Sequence, residues 1–437
     1  MSHSDLPVVV LGAGPVGLAA AAHLLERALE PLVLEAGDRV GASVLEWGQV
    51  RMFSPWRFVV DRAAGVLLAR HGWTPPEGEG FPTGRDLVER YLEPLAALPE
   101  LASRVRLRTR ALAVSRSGFD LLKTRGREAA PFVVRAETAE GEIELAAQAV
   151  VDASGTWRNP NPLGASGLPA FGEGAARERI FYGIPDVLGA ERERYAGKRV
   201  LVVGSGHSAL NALLDLAGLA EQAPATRIYW ALRRERLGNL FGGGRRDGLA
   251  ERGRLGERAE ALLSSGGIEL VTGFSLERLR LHEDGLLAEG GGRVIGPLDE
   301  IIATTGFRPD LGLTRELRLE LDPVTEAPVR LAGLIDPNVH SCGTVPPHGA
   351  VELGHPEPGY FAVGMKSYGR APTFLLLTGY EQARSVAAAL AGDWEAARRV
   401  ELQLPETGVC VTDALAAACC NGECARPAAE RAGGCCS

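Results

Sequence analysis

The chain has 437 residues, 46% apolar, 6% aromatic and 23% charged, enough for two or three ordinary globular domains with cores of their own. Its formal net charge of -8 argues against a nucleic-acid partner, whose phosphates need a basic face. No apolar run approaches the roughly 18 residues of a membrane span, and Met1–Pro7 is too short and polar for a secretory leader, so a cytoplasmic protein is expected.

Residues 7–11 read as a buried strand. A glycine turn opens at Gly12, and an Ala/Leu-rich helix runs from about Val16 to Ala28, followed by a strand over 31–35. This βαβ unit predicts a parallel sheet. Residues 51–82 are irregular. Thr83 is suited to cap a helix reaching Leu98, and strands are expected over 105–113, 132–145 and 149–153. A Pro/Gly/Asn-rich stretch over 158–174 reads as a domain boundary. The opening theme then recurs, with a strand over 199–203, a turn at Gly204, a helix to about Ala217 and a strand over 227–231. A strand ends at Thr304-Thr305-Gly306. A proline-rich segment over 323–358 is expected as loop, then a short strand at Phe361 and a long helix from Thr373 to Leu390.

The two turns carry chemistry. The first reads Gly12-Ala13-Gly14-Pro15-Val16-Gly17, with Glu35 closing the next strand. Gly12 permits the tight turn, Gly14 lets backbone approach a pyrophosphate, and Gly17 allows close packing of helix on strand. The helix N-terminus faces the phosphates, and Glu35 can accept from ribose hydroxyls. The second reads Gly204-Ser205-Gly206-His207-Ser208-Ala209, and no acid follows its second strand. Arg233 and Arg234 stand there instead. Guanidinium forks suit a 2′-phosphate, so this turn predicts NADPH rather than NADH, with His207 and Ser208 lining the helix start. A serine-hydrolase reading of Gly206-His207-Ser208 fails because Leu210 occupies the required glycine position.

Two such turns in one chain resemble the FAD- and NAD(P)H-dependent flavoproteins, including the flavin-containing monooxygenases and the thioredoxin-reductase-like disulfide reductases. The resemblance covers residues 7 to about 392. It extends to the strand-to-glycine segments ending at Gly155 and Gly306, and to Gly359–Met365, which looks like the second FAD motif around Gly364. It implies an α/β fold of two Rossmann-like domains, the NADPH domain inserted into the FAD domain. The expected division is 1–165 and 301–403 for FAD, 166–300 for NADPH, and 404–437 as a flexible cysteine-rich tail. The resemblance implies bound FAD and NADPH. It also places Arg51, Trp56 and Lys366 as catalytic candidates beside the isoalloxazine, with Ser54, Tyr368, Trp47 and Phe53 nearby.

The segment Met52–Trp56, Phe81–Gly84 and Tyr91-Leu92 looks more like the monooxygenases. Residues 1–341 hold no cysteine, which excludes the usual flavin-to-dithiol routes. The monooxygenase fingerprint F-x-G-x-x-x-H is incomplete, because neither Phe171 nor Phe181 is followed by the His. The expected function is an NADPH-dependent, monooxygenase-like flavin oxidoreductase acting with oxygen on a small molecule.

Six of the seven cysteines, Cys410, Cys419, Cys420, Cys424, Cys435 and Cys436, fall in the last 28 residues. Near-vicinal thiolates suit soft ions. The tail therefore suggests an alternative, a metal or metalloid reductase or detoxification flavoprotein with Cys419, Cys420, Cys424, Cys435 and Cys436 as ligands. A third reading is a metal carrier on a vestigial flavin fold. His340, Cys342 and His348 lie close in sequence but lack zinc-site spacing.

Overall fold

The structure is a computed structural model that describes residues 5–237, 240–241, 249–339, 345–372 and 374–402. Two five-stranded parallel sheets organise it. The first runs Tyr360–Ala362, Ala149–Asp152, Val8–Leu11, Pro31–Leu34, Val105–Arg106 from edge to edge. The second runs Glu269–Val271, Arg227–Ala231, Arg199–Val203, Glu300–Ala303, Ile180–Tyr182. Each sheet has a glycine-turn strand at its centre, flanked by the strand that follows its helix. Both central strands, Val8–Leu11 and Val200–Val203, are buried along their length, as apolar runs covered on both faces must be. Each sheet carries an antiparallel three-stranded meander, spanning Arg110–Ala147 in the first unit and Arg278–Leu298 in the second. This is the expected α/β class with two dinucleotide-type units.

The strand Glu300–Ala303 pairs with Arg199–Val203, so a boundary at 300/301 would cut a strand of the second sheet. Two antiparallel crossover segments join the units. Pro160 pairs with Phe307. Asn161 donates from its backbone to Gly306 O at 2.9 Å and accepts from Thr305 Oγ1 at 2.7 Å.

Several elements differ from expectation. The helix begins at Gly84 under a capping box of Thr83 and Asp86, but opens into a π turn over Val88–Leu92 before Glu93–Ala96. Pro94 has no N–H for the Arg90 carbonyl, and the freed oxygen accepts from Trp73 Nε1 at 3.0 Å. The strand expected over 105–113 is split at Arg108, whose φ is 49°. The segment expected as loop over 323–358 contains the helix Val329–Ile335. The last long helix is Leu376–Leu390, and Thr373 lies outside the described residues. Among the described residues no helix is long and apolar enough to cross a membrane.

One buried ion pair pins the first glycine-turn helix, Pro15–Glu26. His23 Nε2 lies 3.0 Å from Asp61, which caps the helix Arg62–Arg70, and His23 Nδ1 lies 3.3 Å from Glu26. Burial opposes the imidazolium, but Asp61 and Glu26 together outweigh it and raise the His23 pKa to about 9. A raised pKa stabilises the fold fully below about pH 6.5 and is lost as pH climbs through 9. The full contribution is about 3 kcal/mol. The melting temperature is expected to fall from pH 6.5 to 9, and His23→Gln is expected to flatten that slope. An unchanged slope in the variant would assign it to other groups.

Candidate active site

The first turn distinguishes its three glycines. Gly12 has φ 96°, and a β-carbon there would sit 2.8 Å from Ala153 O. A β-carbon on Gly17 would sit 2.0 Å from Gly12 O. Packing of the chain on itself explains both. Gly14 has extended backbone and nothing within 4 Å of its β-carbon position. It sits at the N-terminus of Pro15–Glu26, where no side chain caps the first N–H groups. Among the described residues, nothing in the chain itself demands a glycine at 14. A phosphate anion fits an open, uncapped helix start of this kind. Glu35 is anchored at the edge of this space, accepting from Ala13 N and Gly37 N, each at 2.8 Å. A carboxylate has further lone pairs, so it retains acceptor capacity for hydroxyls.

The second turn repeats the arrangement. Gly204 has φ 133°, and its β-carbon would lie 2.4 Å from Thr304 O, as Gly12 meets Ala153. Gly206 again meets nothing within 4 Å, and Ala209 is fully buried where Gly17 stands in the first unit. The helix His207–Gln222 starts without a side-chain cap. Buried Trp230 donates from Nε1 to Gly204 O at 2.8 Å, a support that the glycine pattern does not reveal. Backbone pairing fixes the correspondence of the two units: Gly12 N donates to Leu34 O, and Gly204 N to Ala231 O. Glu35 therefore corresponds to Leu232, a buried apolar residue. Arg233 follows, exposed, with Nη1 on Ala165 O at 3.2 Å. Neither Arg233 nor Arg234 has an acidic partner among the described residues. Gly155 and Gly306, at φ 69° and 85°, close the segments after their strands.

Between the units lies a cleft of about 300 Å³. Trp47, Arg51, Met52, Phe53 and Ser54 form one wall, with His207, Ser208 and Asn211 opposite. Phe374 and buried Arg252 complete it. Phe53 meets the His207 ring edge-on at 5.2 Å, and Gln49 Nε2 donates to Ile184 O at 3.0 Å, tying the two walls together. Arg51 Nη1 donates to Phe81 O at 2.9 Å, leaving most of its fork exposed. Of the residues singled out in the sequence, the structure thus gathers Trp47, Arg51, Phe53, Ser54, His207 and Ser208 on one cleft. Sequence reasoning misses Asn211, Arg252 and Phe374, which no motif marks.

Three candidates lie elsewhere. Trp56 is buried in the core of the first unit, under the Arg90 guanidinium at 5.4 Å, and does not reach the cleft. Tyr368 is buried against His348 and Phe374. Lys366 is buried too. Its ammonium lies 2.6 Å from Asp152 and 3.1 Å from Ser154 Oγ, so it is an ion-pair partner and not a free cation on the cleft wall. Gly364 has φ 68°, as its motif requires, but its N–H is taken by Gln382 Oε1 at 2.7 Å; Met365 beside it is half-buried. Gln382 Nε2 faces His348 Nε2 at 2.8 Å. Burial holds the His348 pKa below its usual value. His340, Cys342, Cys410, Cys419, Cys420, Cys424, Cys435 and Cys436 lie outside the described residues.

Twin uncapped glycine turns on twin parallel sheets, the second of them starting its helix on the cleft, are the frame of a two-dinucleotide protein. The sequence matches the pyridine nucleotide-disulphide oxidoreductase family over residues 9–329, and the chain belongs to that family. Membership makes it a pyridine-nucleotide-dependent oxidoreductase. It is 33% identical over 213 residues to the indole-3-pyruvate monooxygenase YUCCA1 of Oryza sativa subsp. japonica, a match covering 48% of this chain and 44% of that protein. The chain thus spans less than half the length of that relative. It is 25% identical to a ferredoxin–NADP reductase of Rhodospirillum rubrum, over 87% of this chain and 89% of the reductase. The bacillithiol disulfide reductase of Bacillus cereus superposes with a TM-score of 0.65 at 18% identity, over 89% of this chain and 99% of that structure.

Proposed function

We propose that the chain is a monooxygenase-like flavoenzyme that uses NADPH and oxygen on a small-molecule substrate in the cleft. The observation carrying this reading is that one cleft is lined both by the 47–54 segment of the first unit and by the start of the second glycine-turn helix. The match over 213 residues to an indole-3-pyruvate monooxygenase supports it. FAD, when bound, accepts two electrons from NADPH and reacts with dioxygen.

The chain's own residues do the rest. Gly12–Gly17, with Gly14 and Pro15 at the helix start and Glu35 beside it, hold the FAD pyrophosphate and ribose. Gly155 keeps the neighbouring turn open. Gly204, Gly206, His207 and Ser208 hold the NADPH pyrophosphate, Gly306 keeps the turn beside them open, and Arg233 and Arg234 take the 2′-phosphate. Trp47, Met52, Phe53 and Phe374 exclude water from the cleft. Arg51 places a cation at its mouth. The FAD unit is formed by the chain before the crossover at Asn159–Asn161 and after that at Thr305–Pro309, and the NADPH unit by the chain between them.

The test compares full-length protein with a variant ending at Leu404. The full-length protein is expected to purify yellow, to be bleached by NADPH without air, and to consume oxygen as NADPH is oxidised. The truncation is expected to keep all three properties while losing stoichiometric binding of arsenite or mercuric ion, the soft-ion role proposed for Cys419, Cys420, Cys424, Cys435 and Cys436. Mercuric ion that accelerates NADPH oxidation in the full chain but not in the truncation would replace the oxygenase reading with a metal reductase. A colourless protein that takes up no FAD would end both.

A further inference from the structure

Only three of the 47 basic residues are lysines, and one of them, Lys366, is 4% exposed. Its partner Asp152 is fully buried. Asp152 closes the strand Ala149–Asp152, beside both Leu11 and Ala362 in the first sheet. The next residues, Ala153 and Ser154, are the backbone against which Gly12 packs. Lys366 belongs to the single turn Gly364–Tyr368 that follows the neighbouring strand. The pair therefore joins two loops that leave adjacent strands at the same sheet edge, directly beside the first glycine turn.

The hydrogen bonds are divided between the loops. Asp152 Oδ1 accepts from Ser154 N at 3.1 Å and from Ser154 Oγ at 2.6 Å, holding the turn that leads into Gly155. Asp152 Oδ2 accepts from Lys366 Nζ at 2.6 Å and from Tyr360 OH at 3.1 Å. Lys366 Nζ returns to Ser154 Oγ at 3.1 Å, which closes the ring. Burial disfavours the carboxylate, yet Lys366 and Ser154 overcome it and hold the Asp152 pKa below its usual value. A buried ion pair is a poor source of bulk stability against an apolar replacement, so its use here calls for a positional reason. Both loops carry glycines at positive φ, Gly155 and Gly364, and the β-carbon position of Gly155 meets nothing within 4 Å. Beyond the backbone that Gly12 meets, the Gly155 end of this loop borders open space and relies on hydrogen bonds to hold it.

We infer that Lys366, acting through Asp152 and Ser154, is a positioning residue for FAD: it staples the Ser154–Gly155 turn to the Gly364–Tyr368 turn and so sets how tightly the dinucleotide is held, without touching it. This rests on the reading that the first glycine turn holds FAD.

The test measures FAD dissociation constants, the visible spectrum of bound flavin and the melting temperature of the apoprotein for three variants. Removing one charge strands the other in the interior, so single-charge variants mix folding with binding. Lys366→Met/Asp152→Asn removes both charges, and the amide oxygen that replaces the Asp152 carboxylate can still accept from Ser154. This double variant is expected to melt as apoprotein within a few degrees of wild type while binding FAD at least about tenfold more weakly, with a shifted flavin spectrum. Ser154→Ala leaves the ion pair and the Ser154 N–H bond to Asp152 intact but removes both hydroxyl bonds that tie the turn to the pair, and is expected to weaken FAD several-fold with little change in apoprotein stability. A double variant that binds FAD as wild type does would overturn the inference. So would a loss of FAD affinity matched by an equal loss of apoprotein stability in both variants. Gly14→Val in the same assay keeps the two failures apart, because normal FAD binding by that variant would refute the underlying reading whatever Lys366 does.

Discussion

Gly14→Val is expected to abolish useful FAD binding while leaving the apoprotein folded. The backbone at Gly14 has φ -78° and ψ -176°, an extended conformation that valine adopts readily. Its β-carbon would meet no protein atom within 4 Å. The added isopropyl group therefore occupies the space in front of the helix start, where a pyrophosphate would take the uncapped N–H groups. The expected loss is at least about 100-fold in affinity, or about 2.8 kcal/mol. Gly17→Ala is the contrasting control. Its β-carbon would lie 2.0 Å from Gly12 O, so the helix must move off the strand with or without FAD. The apoprotein melting temperature should fall for Gly17→Ala and hold for Gly14→Val, and FAD titration should fail for the latter. Gly14→Val protein that binds FAD normally would place the cofactor elsewhere.

That contrast shows what the sequence could carry. A glycine motif states local backbone demands, and the strands and helices around both turns follow from runs of adjacent residues. The fold was legible for that reason. The position of Glu35 just past its strand, and the absence of an acid at the matching place after the second strand, are legible as well, because each follows directly from a run of adjacent strand residues. Sequence alone misplaces Lys366, because its neighbours resemble a flavin motif whereas its chemistry is decided by Asp152, 214 positions away. Trp56 sits in the same short segment as Phe53, yet the turn at Pro55 sends one ring into the core and the other into the cleft. Asn211 reaches the cleft one turn beyond the glycine motif that marks His207 and Ser208, and Arg252 from a helix that carries no motif. No local spacing marks such residues, since their position depends on how one unit is set against the other.

Replacing Arg233 and Arg234 together with alanine is expected to erase a preference for NADPH over NADH. The correspondence of Glu35 with Leu232 explains why the preference should exist. An acid at that position accepts from a free 2′-hydroxyl and repels a 2′-phosphate; a buried leucine does neither. What remains is the charge supplied just beyond it. Arg233 is exposed and donates to the Ala165 carbonyl, and no carboxylate among the described residues neutralises either guanidinium. Both are therefore available to a dianion in bidentate geometry. A charge-assisted hydrogen bond contributes about 1.5–3 kcal/mol, so kcat/KM for NADPH should fall roughly 10- to 150-fold in the double variant while that for NADH changes little. Stopped-flow reduction of the flavin under anaerobic conditions measures this directly. Because the contact lies at the adenosine end, remote from hydride transfer, the loss should appear in the apparent binding of NADPH and not in the limiting rate of reduction. A wild-type protein that prefers NADH, or a double variant that still discriminates, would show that the arginines are solvated surface charges and that the second turn takes its specificity from elsewhere in the cleft.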